Sequence, residues 1–291
     1  MAWLTGWRYR KSITLSRASG AVTDYQMKLL VGESSGATGE DVDCNSHILS
    51  DFDDLRFTSD DGTTLLDYWI ESITGTTPNR LATVWIEFGT IGTGATTFYM
   101  YYGKASASVV SNGTNTFVVY DDMETDGWTA SENKADFTES WSEAAAHTPT
   151  HSYLISFPSS TVGNAGNYGR YTKTIDVGTG NRAMVLFARD SRTGTTGYWY
   201  KEVYVGGTRY YRADVGADAV NAFLSTGELD ISVKTGSQSV YFQMIIAATI
   251  SNVSIISYWD TLYIIKKEPT GPAWGSWGSE EHITARAMIW G

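Results

Sequence analysis

"GYWYKEVYVGGTRYYR", residues 197–212, is the stretch whose reading decides the fold class. Side chains on a β-strand point to alternate faces. That places Tyr198, Tyr200, Glu202 and Tyr204 on one face, and Trp199, Lys201, Val203 and Val205 on the other. Gly206-Gly207 follows at once, and glycines accept the positive φ angles of a two-residue hairpin turn. "TRYYR" then brings Arg209, Tyr210, Tyr211 and Arg212 back along a partner strand. The period is two rather than 3.6, so the segment predicts an antiparallel hairpin.

The same period recurs along the chain. "KSITLS", "YQMKLLV", "DDLRFT", "LLDYWIES", "LATVWIEF" and "TTFYMYYG" read as short strands before residue 110, with Asp61-Gly62 as a hairpin turn. "SYLISF", "YGRYTKTIDV", "AMVLFARD", "LDISVKT", "SVYFQMIIAAT" and "SIISYWDTLYII" continue the pattern from residue 152. Gly is abundant (29) and Pro scarce (5), Tyr (18) and Trp (11) are heavily used, and runs of helix formers are nearly absent. The expected fold is all-β: two tandem antiparallel β-sandwiches, 1–110 and 117–267, the second jelly-roll-like. Residues 111–116 lie in the small, polar stretch "KASASVVSNGTN" and are expected as a linker. Residues 268–291 mix turn residues with Trp274, Trp277 and Trp290. They are expected as an extended C-terminal tail that packs on the body or on a partner.

The formal net charge is -11 and the pI about 4.8. Phosphate backbones and anionic membrane surfaces are bound by clustered Lys and Arg, so nucleic acid and lipid headgroups are excluded as general partners. Cys44 stands alone, which excludes an internal disulfide and a cysteine metal cluster, and reads as a small buried apolar residue. "MAWLTGWRYRKSITL" lacks the apolar core of a secretory signal, and no run is long enough for membrane insertion. Synthesis in the cytoplasm is expected, unless a leader was trimmed and a start Met added. A virion or extracellular surface location would then be reached by another route, such as lysis of an infected cell.

"GWRYRKSITL", "GEDVDCNSHILSDFDDLRFTSDDGTTLLDYWIES", "ATVWIEF" and "FYMYYGK" together resemble the domain of unknown function numbered 2341, found in archaeal, bacterial and viral surface proteins. The resemblance covers roughly the first third of the chain and implies a β-sandwich module with no assigned activity. "FVVYDDMETDGW" and "ISYWDTLYII" are similar to the first and last strands of concanavalin-like and carbohydrate-module jelly rolls. There, an acidic first strand and an Asp in the last often share a structural calcium. For this chain the resemblance implies Ca2+ held by Asp122, Glu124 and Asp260. Calcium takes about six to eight oxygens, so backbone carbonyls and water would have to join them. The residues alone allow another reading, an acidic strand end running into an Asp126-Gly127 turn, with side chains capping backbone amides.

Tyr198, Tyr200, Tyr204 and Tyr210 form the candidate ligand platform, because flat aromatic rings stack on the C–H faces of sugars. Ordinary cross-strand aromatic pairing gives the same pattern. His147 and His151 are separated by Pro149, so no helix presents them together, and they read as solvated loop histidines. Glu228 and Asp230 share a strand face, but Ser232 stands where sandwich glycosidases of Glu-x-Asp-x-Glu pattern need a further carboxylate. This argues against a glycoside hydrolase.

The function expected from the sequence is a non-enzymatic virion surface structural protein, a capsid decoration or tail-associated component with lectin-like modules. Its partners would be other virion proteins or copies of itself in a homo-oligomeric assembly. Trp274, Trp277 and Trp290 would be interface anchors. The alternative is a carbohydrate-binding module of a cell-surface or secreted protein, with a glycan as partner.

Overall fold

The computed structural model describes all residues except 1, 19, 38, 159–161, 194–198, 215–221, 250 and 284–291. The chain divides into two compact units, Met1–Phe117 with Glu268–Gly291, and Val118–Lys267. The first unit contains β1 (Tyr9–Arg17), β2 (Val22–Gly32), β3 (Val42–Asp43), β4 (Arg56–Thr58), β5 (Leu65–Leu66), β6 (Tyr68–Thr74), β7 (Leu81–Ile91), β8 (Gly94–Tyr102) and the one-turn helix α1 (Gly113–Thr116). The second contains β9 (Val119–Asp121), β10 (Thr129–Glu132), β11 (Thr138–Ser142), β12 (Ser152–Phe157), β13 (Tyr168–Asp176), β14 (Arg182–Thr193), β15 (Trp199–Val205), β16 (Thr208–Asp214), β17 (Leu224–Ser225), β18 (Leu229–Asp230), β19 (Ser237–Ile246) and β20 (Ser254–Lys266). β21 (Ala273–Trp277) and β22 (Glu281–His282) belong to the first unit again.

The fold is all-β, and each unit is a sandwich of two sheets. In the first unit the orders are β21-β1-β8-β4-β5, with β22 also on β1, and β3-β2-β7-β6. Pairing is antiparallel apart from the short β2–β3 contact. Alternation fills the space between the sheets: Leu29 and Val31 of β2 and Val84 and Ile86 of β7 meet Leu15, Phe57 and Met100. Cys44 is fully buried in this core, and burial pushes its thiol well up. The turn expected at Asp61-Gly62 joins β4 to β5. Gly62 has φ +77, and the Asp61 carboxylate accepts the N–H groups of Thr63 (2.7 Å) and Thr64 (2.8 Å).

Two segments outside the expected sandwiches carry defined structure. Residues 111–116 are not a free linker. The Asn112 N–H donates to the Tyr68 carbonyl at 2.9 Å, and Ser111 Oγ accepts the Ile70 N–H at 2.8 Å. Asn112 then caps α1, and Phe117 packs edge-on against Trp69 and Trp85. Of the closing segment expected to pack on the body or on a partner, the described part forms two strands, β21 and β22, that pair with β1. Trp274 lies opposite Leu15 and Trp277 opposite Ile13. Both indoles pack on the first unit's own core, and Trp274 Nε1–H donates to the Lys28 carbonyl at 3.0 Å. A Cβ on Gly275 would lie 2.7 Å from the Thr14 carbonyl oxygen, so glycine is needed for β21 to approach β1. Trp290 lies outside the described residues.

In the second unit one sheet runs β10-β13-β19-β15-β16. The other runs β11-β12-β20-β14-β17, with β18 also on β14 and β9 on β20. Phe242 of the first sheet stacks on Trp259 of the second (4.9 Å, 21°) at the centre of the core. Trp199, Val203 and Val205 of β15 face the same core. Gly206 (φ +53) and Gly207 (φ +75) make the two-residue turn into β16.

Trp274→Ala should lower the stability of the first unit by about 2 kcal/mol, less than for a fully buried Trp because the ring is half-buried. Urea denaturation checks this. An unchanged midpoint would mean that β21 is not docked on β1.

Candidate functional site

The outward face of the five-stranded sheet in the second unit is the candidate ligand face. Burying Trp199, Val203 and Val205 turns Tyr200, Glu202 and Tyr204 the other way. The register supplies their neighbours. β19 sets Ile245, Gln243 and Tyr241 beside Tyr200, Glu202 and Tyr204. β13 sets Tyr168, Arg170 and Thr172 beside those three. On the other side β16 sets Arg212 beside Glu202 and Arg209 beside Tyr204. One row across the sheet therefore reads Arg170, Gln243, Glu202, Arg212.

Glu202 is the hub of this face, although only 2% exposed. It accepts hydrogen bonds from Gln243 Nε2 (2.8 Å), Arg209 Nη1 (3.0 Å) and the Tyr204 hydroxyl (3.1 Å), and Arg212 Nε lies 3.6 Å away. The Glu202 charge strengthens proton binding by Arg209, and burial raises the phenol pKa of Tyr204 and Tyr241. Tyr204 and Tyr241 stack at 4.5 Å. The Arg212 guanidinium lies over Tyr200 at 3.3 Å, and Arg170 over Tyr168 at 3.7 Å and Tyr241 at 4.6 Å. Gln243 Oε1 and Arg170 Nε, on neighbouring strands, are buried without hydrogen-bond partners.

Of the expected platform, the structure brings Tyr200 and Tyr204 together. Tyr198 lies outside the described residues. Tyr210 does not join the row. A bulge opposite Val203 and Tyr204 turns it, with Tyr211, against the core, where its hydroxyl is buried without a partner. Tyr168, Arg170, Tyr241 and Gln243 complete the face, and the sequence reading missed them. Their outward parity is written in "YGRYTK" and "SVYFQM", but only the register shows that they meet Glu202.

The proposed ion ligands have a different arrangement. β9 ends at Asp121, and Met123 takes a left-handed φ of +59, so Asp122 and Glu124 do not share a strand face. The loop at residues 147–151 takes up the carboxylates. Asp260, fully buried, accepts the N–H groups of His147, Thr148 (3.0 Å) and Thr261 (2.6 Å). Glu124 accepts the N–H groups of Thr150 (2.9 Å) and His151 (2.8 Å) and the Thr150 hydroxyl (2.6 Å). Asp122 accepts the Glu124 N–H at 3.2 Å. The Thr148 hydroxyl bridges the Asp122 carbonyl (3.1 Å) and Asp260 (3.2 Å). Among the described residues no three His, Cys, Asp or Glu side chains form a group that could hold a metal. Glu124 and Asp260 are engaged by amide and hydroxyl donors of the 147–151 loop, and Asp122, Glu124 and Asp260 are not gathered into one ligand set.

The two histidines of this loop are stacked rather than solvated. His147 lies on Phe187 at 4.0 Å, and burial lowers its pKa to about 4. His151 lies on Trp141 at 3.8 Å, with Glu124 2.9 Å from Nδ1. Asp230, a hydrolase candidate, accepts from Ser232 and pairs with Lys267 at 3.2 Å. These bonds hold its pKa at about 2, where a carboxyl is a poor proton donor. Glu228 is exposed.

Comparison with known proteins finds a family model, described as a domain of unknown function (DUF2341), matching residues 51–143. The match begins within the first unit and runs past Phe117 to the end of β11. No curated protein matches the chain. Among solved structures, TmCBM61 in complex with β-1,4-galactotriose is 14% identical over 48% of this chain and 88% of its own, with a TM-score of 0.32. A family 35 carbohydrate-binding module from an environmental isolate is 14% identical over 51% and 98%, with a TM-score of 0.29. The N-terminal CBM22 tandem of Paenibacillus barcinonensis Xyn10C is 9% identical over 91% and 80%, with a TM-score of 0.34. At these scores the superpositions are loose.

The partly exposed Glu124 and the buried Asp260 set opposite pH dependences. Glu124 is lowered from 4.5 to about 2, because the hydrogen bonds it accepts outweigh its burial. Its contribution is full above pH 4.5 and is lost as pH falls towards 2. Asp260 is raised from 3.8 to about 6, burial outweighing its amide donors. Native Asp260 keeps a proton that the unfolded chain releases, so its contribution declines as pH rises from about 4 to 6. Glu124→Gln should therefore lower the melting midpoint at neutral pH, and the difference from the wild type should shrink as pH falls from about 4.5 towards 2. A difference independent of pH would show that the carboxylate charge is not what holds the loop.

Proposed function

We propose that the second unit is a non-catalytic carbohydrate-binding module whose ligand lies on the outward face of its five-stranded sheet. The observation that carries this reading is the row built on Glu202. A buried carboxylate and a buried amide occupy the outer face of a sheet, under a layer of tyrosines and arginines. Sugars present alternating hydroxyls and apolar C–H faces. Tyr168, Tyr200, Tyr204 and Tyr241 supply aromatic surface, and Arg170, Arg209, Arg212 and Gln243 supply fixed polar groups. Glu202 is already tied by three donors, which suits it to positioning rather than proton transfer. Gln243 Oε1 and Arg170 Nε, an acceptor and a donor without partners on neighbouring strands of this face, leave hydrogen-bonding capacity of the two kinds a sugar hydroxyl can use.

The virion-surface reading drawn from the sequence gains no support from this geometry. Its proposed anchors Trp274 and Trp277 are spent on the chain's own first unit. Glycan recognition is therefore the reading preferred, on a surface or secreted protein.

Tyr200→Ala combined with Tyr204→Ala should abolish binding to those glycans on an array that the unaltered chain retains. Removing one aromatic platform residue typically costs about 1 kcal/mol or more. Circular dichroism should be unchanged, because both side chains point away from the core. Absence of any glycan ligand for the wild-type chain would refute the proposal.

A further inference from the structure

The first unit holds a second candidate site, unrelated to the face just described. A cleft of about 600 Å3 opens where the approach to β1, the loop before β4 and the segment after β8 meet. Its lining includes Gly6, Arg8, Tyr9, His47, Asp54 and Lys104. That volume falls in the range of small-molecule sites.

The charges around it are distinctive for this chain. The formal net charge is -11, and Arg10, Lys11 and Arg17 in the neighbouring strand each meet a carboxylate, Glu281, Asp43 and Glu268. Arg8 and Lys104 do not: among the described residues neither makes an ion pair. The Lys104 ammonium lies over the Trp7 ring at 4.1 Å, a contact that orients it without neutralising it. The one carboxylate in the lining, Asp54, is fully buried and already engaged. It accepts the N–H groups of Leu49 (2.9 Å), Gly103 (2.6 Å) and Lys104 (3.2 Å). It therefore holds the wall together rather than competing for the two cations. His47 is fixed in the wall between the Tyr9 ring, stacked at 3.9 Å, and Glu280, 3.1 Å from Nδ1. Glu280 is itself occupied by the Tyr102 hydroxyl at 2.7 Å. Gly103 (φ +83) leaves room for the wall, since a Cβ there would lie 2.4 Å from the Tyr9 ring.

We propose that this cleft binds a small organic or inorganic anion, a carboxylate or a phosphate, between the Arg8 guanidinium and the Lys104 ammonium. A planar fork and a point charge in the lining of one cavity, with its single carboxylate already engaged, suit an oxyanion better than a cation. The stacked Tyr9 and His47 rings give the ligand's remaining atoms a flat wall.

The test is an NMR titration of the full chain with glucuronate, with inorganic phosphate and with neutral glucose. Saturable shifts at Gly6, His47 and Gly103 are expected with one or both anions and not with glucose. Shifts with glucuronate alone assign a sugar acid or other carboxylate, and shifts with phosphate alone assign a phosphate. Arg8→Gln with Lys104→Gln should weaken binding roughly tenfold or more, as expected for lost hydrogen bonds between charged groups. Neither side chain makes an ion pair among the described residues, so the variant should stay folded, its melting midpoint lowered only slightly by loss of the Lys104–Trp7 contact. Silence with both anions, equal shifts with glucose, or unchanged affinity in a folded double variant would each overturn the proposal.

Discussion

The second unit depends on one buried ion pair. Lys201 of β15 reaches into the sandwich to Asp190 of β14, with 6% and 1% of their side chains exposed. Ser257 Oγ–H donates to the other Asp190 oxygen at 3.0 Å. Removing two charges from water costs several kcal/mol per ion, so each is tolerated only while the other is present. The pair therefore acts as a register lock. A one-residue slip of β15 would turn Lys201 to solvent, strand Asp190 in the core and drive Tyr200 and Glu202 inward. The outward row of tyrosines and its Glu202 hub stands on that exclusion.

A second constraint runs through both units. Loops between strands leave amide N–H groups that the sheets do not satisfy. This chain satisfies many of them with carboxylates. Asp54 holds Leu49, Gly103 and Lys104; Asp61 holds the turn into β5; Glu124 and Asp260 hold the loop at 147–151. Part of the large negative charge is thus architectural. It explains why the acidic cluster after β9 resembles an ion site in sequence and is a clasp in three dimensions. Carboxylates that clasp backbone amides and carboxylates that ligate calcium share composition and spacing, and differ only in what the fold brings to them.

The strands were legible in the sequence because their signal is local. Alternation in 199–205, the Gly206-Gly207 turn and the Asp61-Gly62 turn all have the structure their residues imply. The candidate face was half legible. Tyr200 and Tyr204 point outward as the period requires, while Tyr210 is turned by a bulge that no local pattern announces. Tyr241 and Arg170 stood in other strands with the right parity and no sign of their neighbours. Trp274 and Trp277 seemed available for a partner only because their position beside Ile13 and Leu15 spans some 260 residues of chain.

By itself, then, the sequence determined the all-β class, the face taken by residues in the regular parts of the strands and the turns at Asp61-Gly62 and Gly206-Gly207. These follow from backbone sterics and a period of two, which act over a few residues. Only the tertiary structure decided which outward residues meet around Glu202, that Asp122, Glu124 and Asp260 clasp a loop, and that Arg8 and Lys104 share a cleft. Those facts rest on strand order and register, which are fixed by burying charge and apolar surface between residues far apart in the chain.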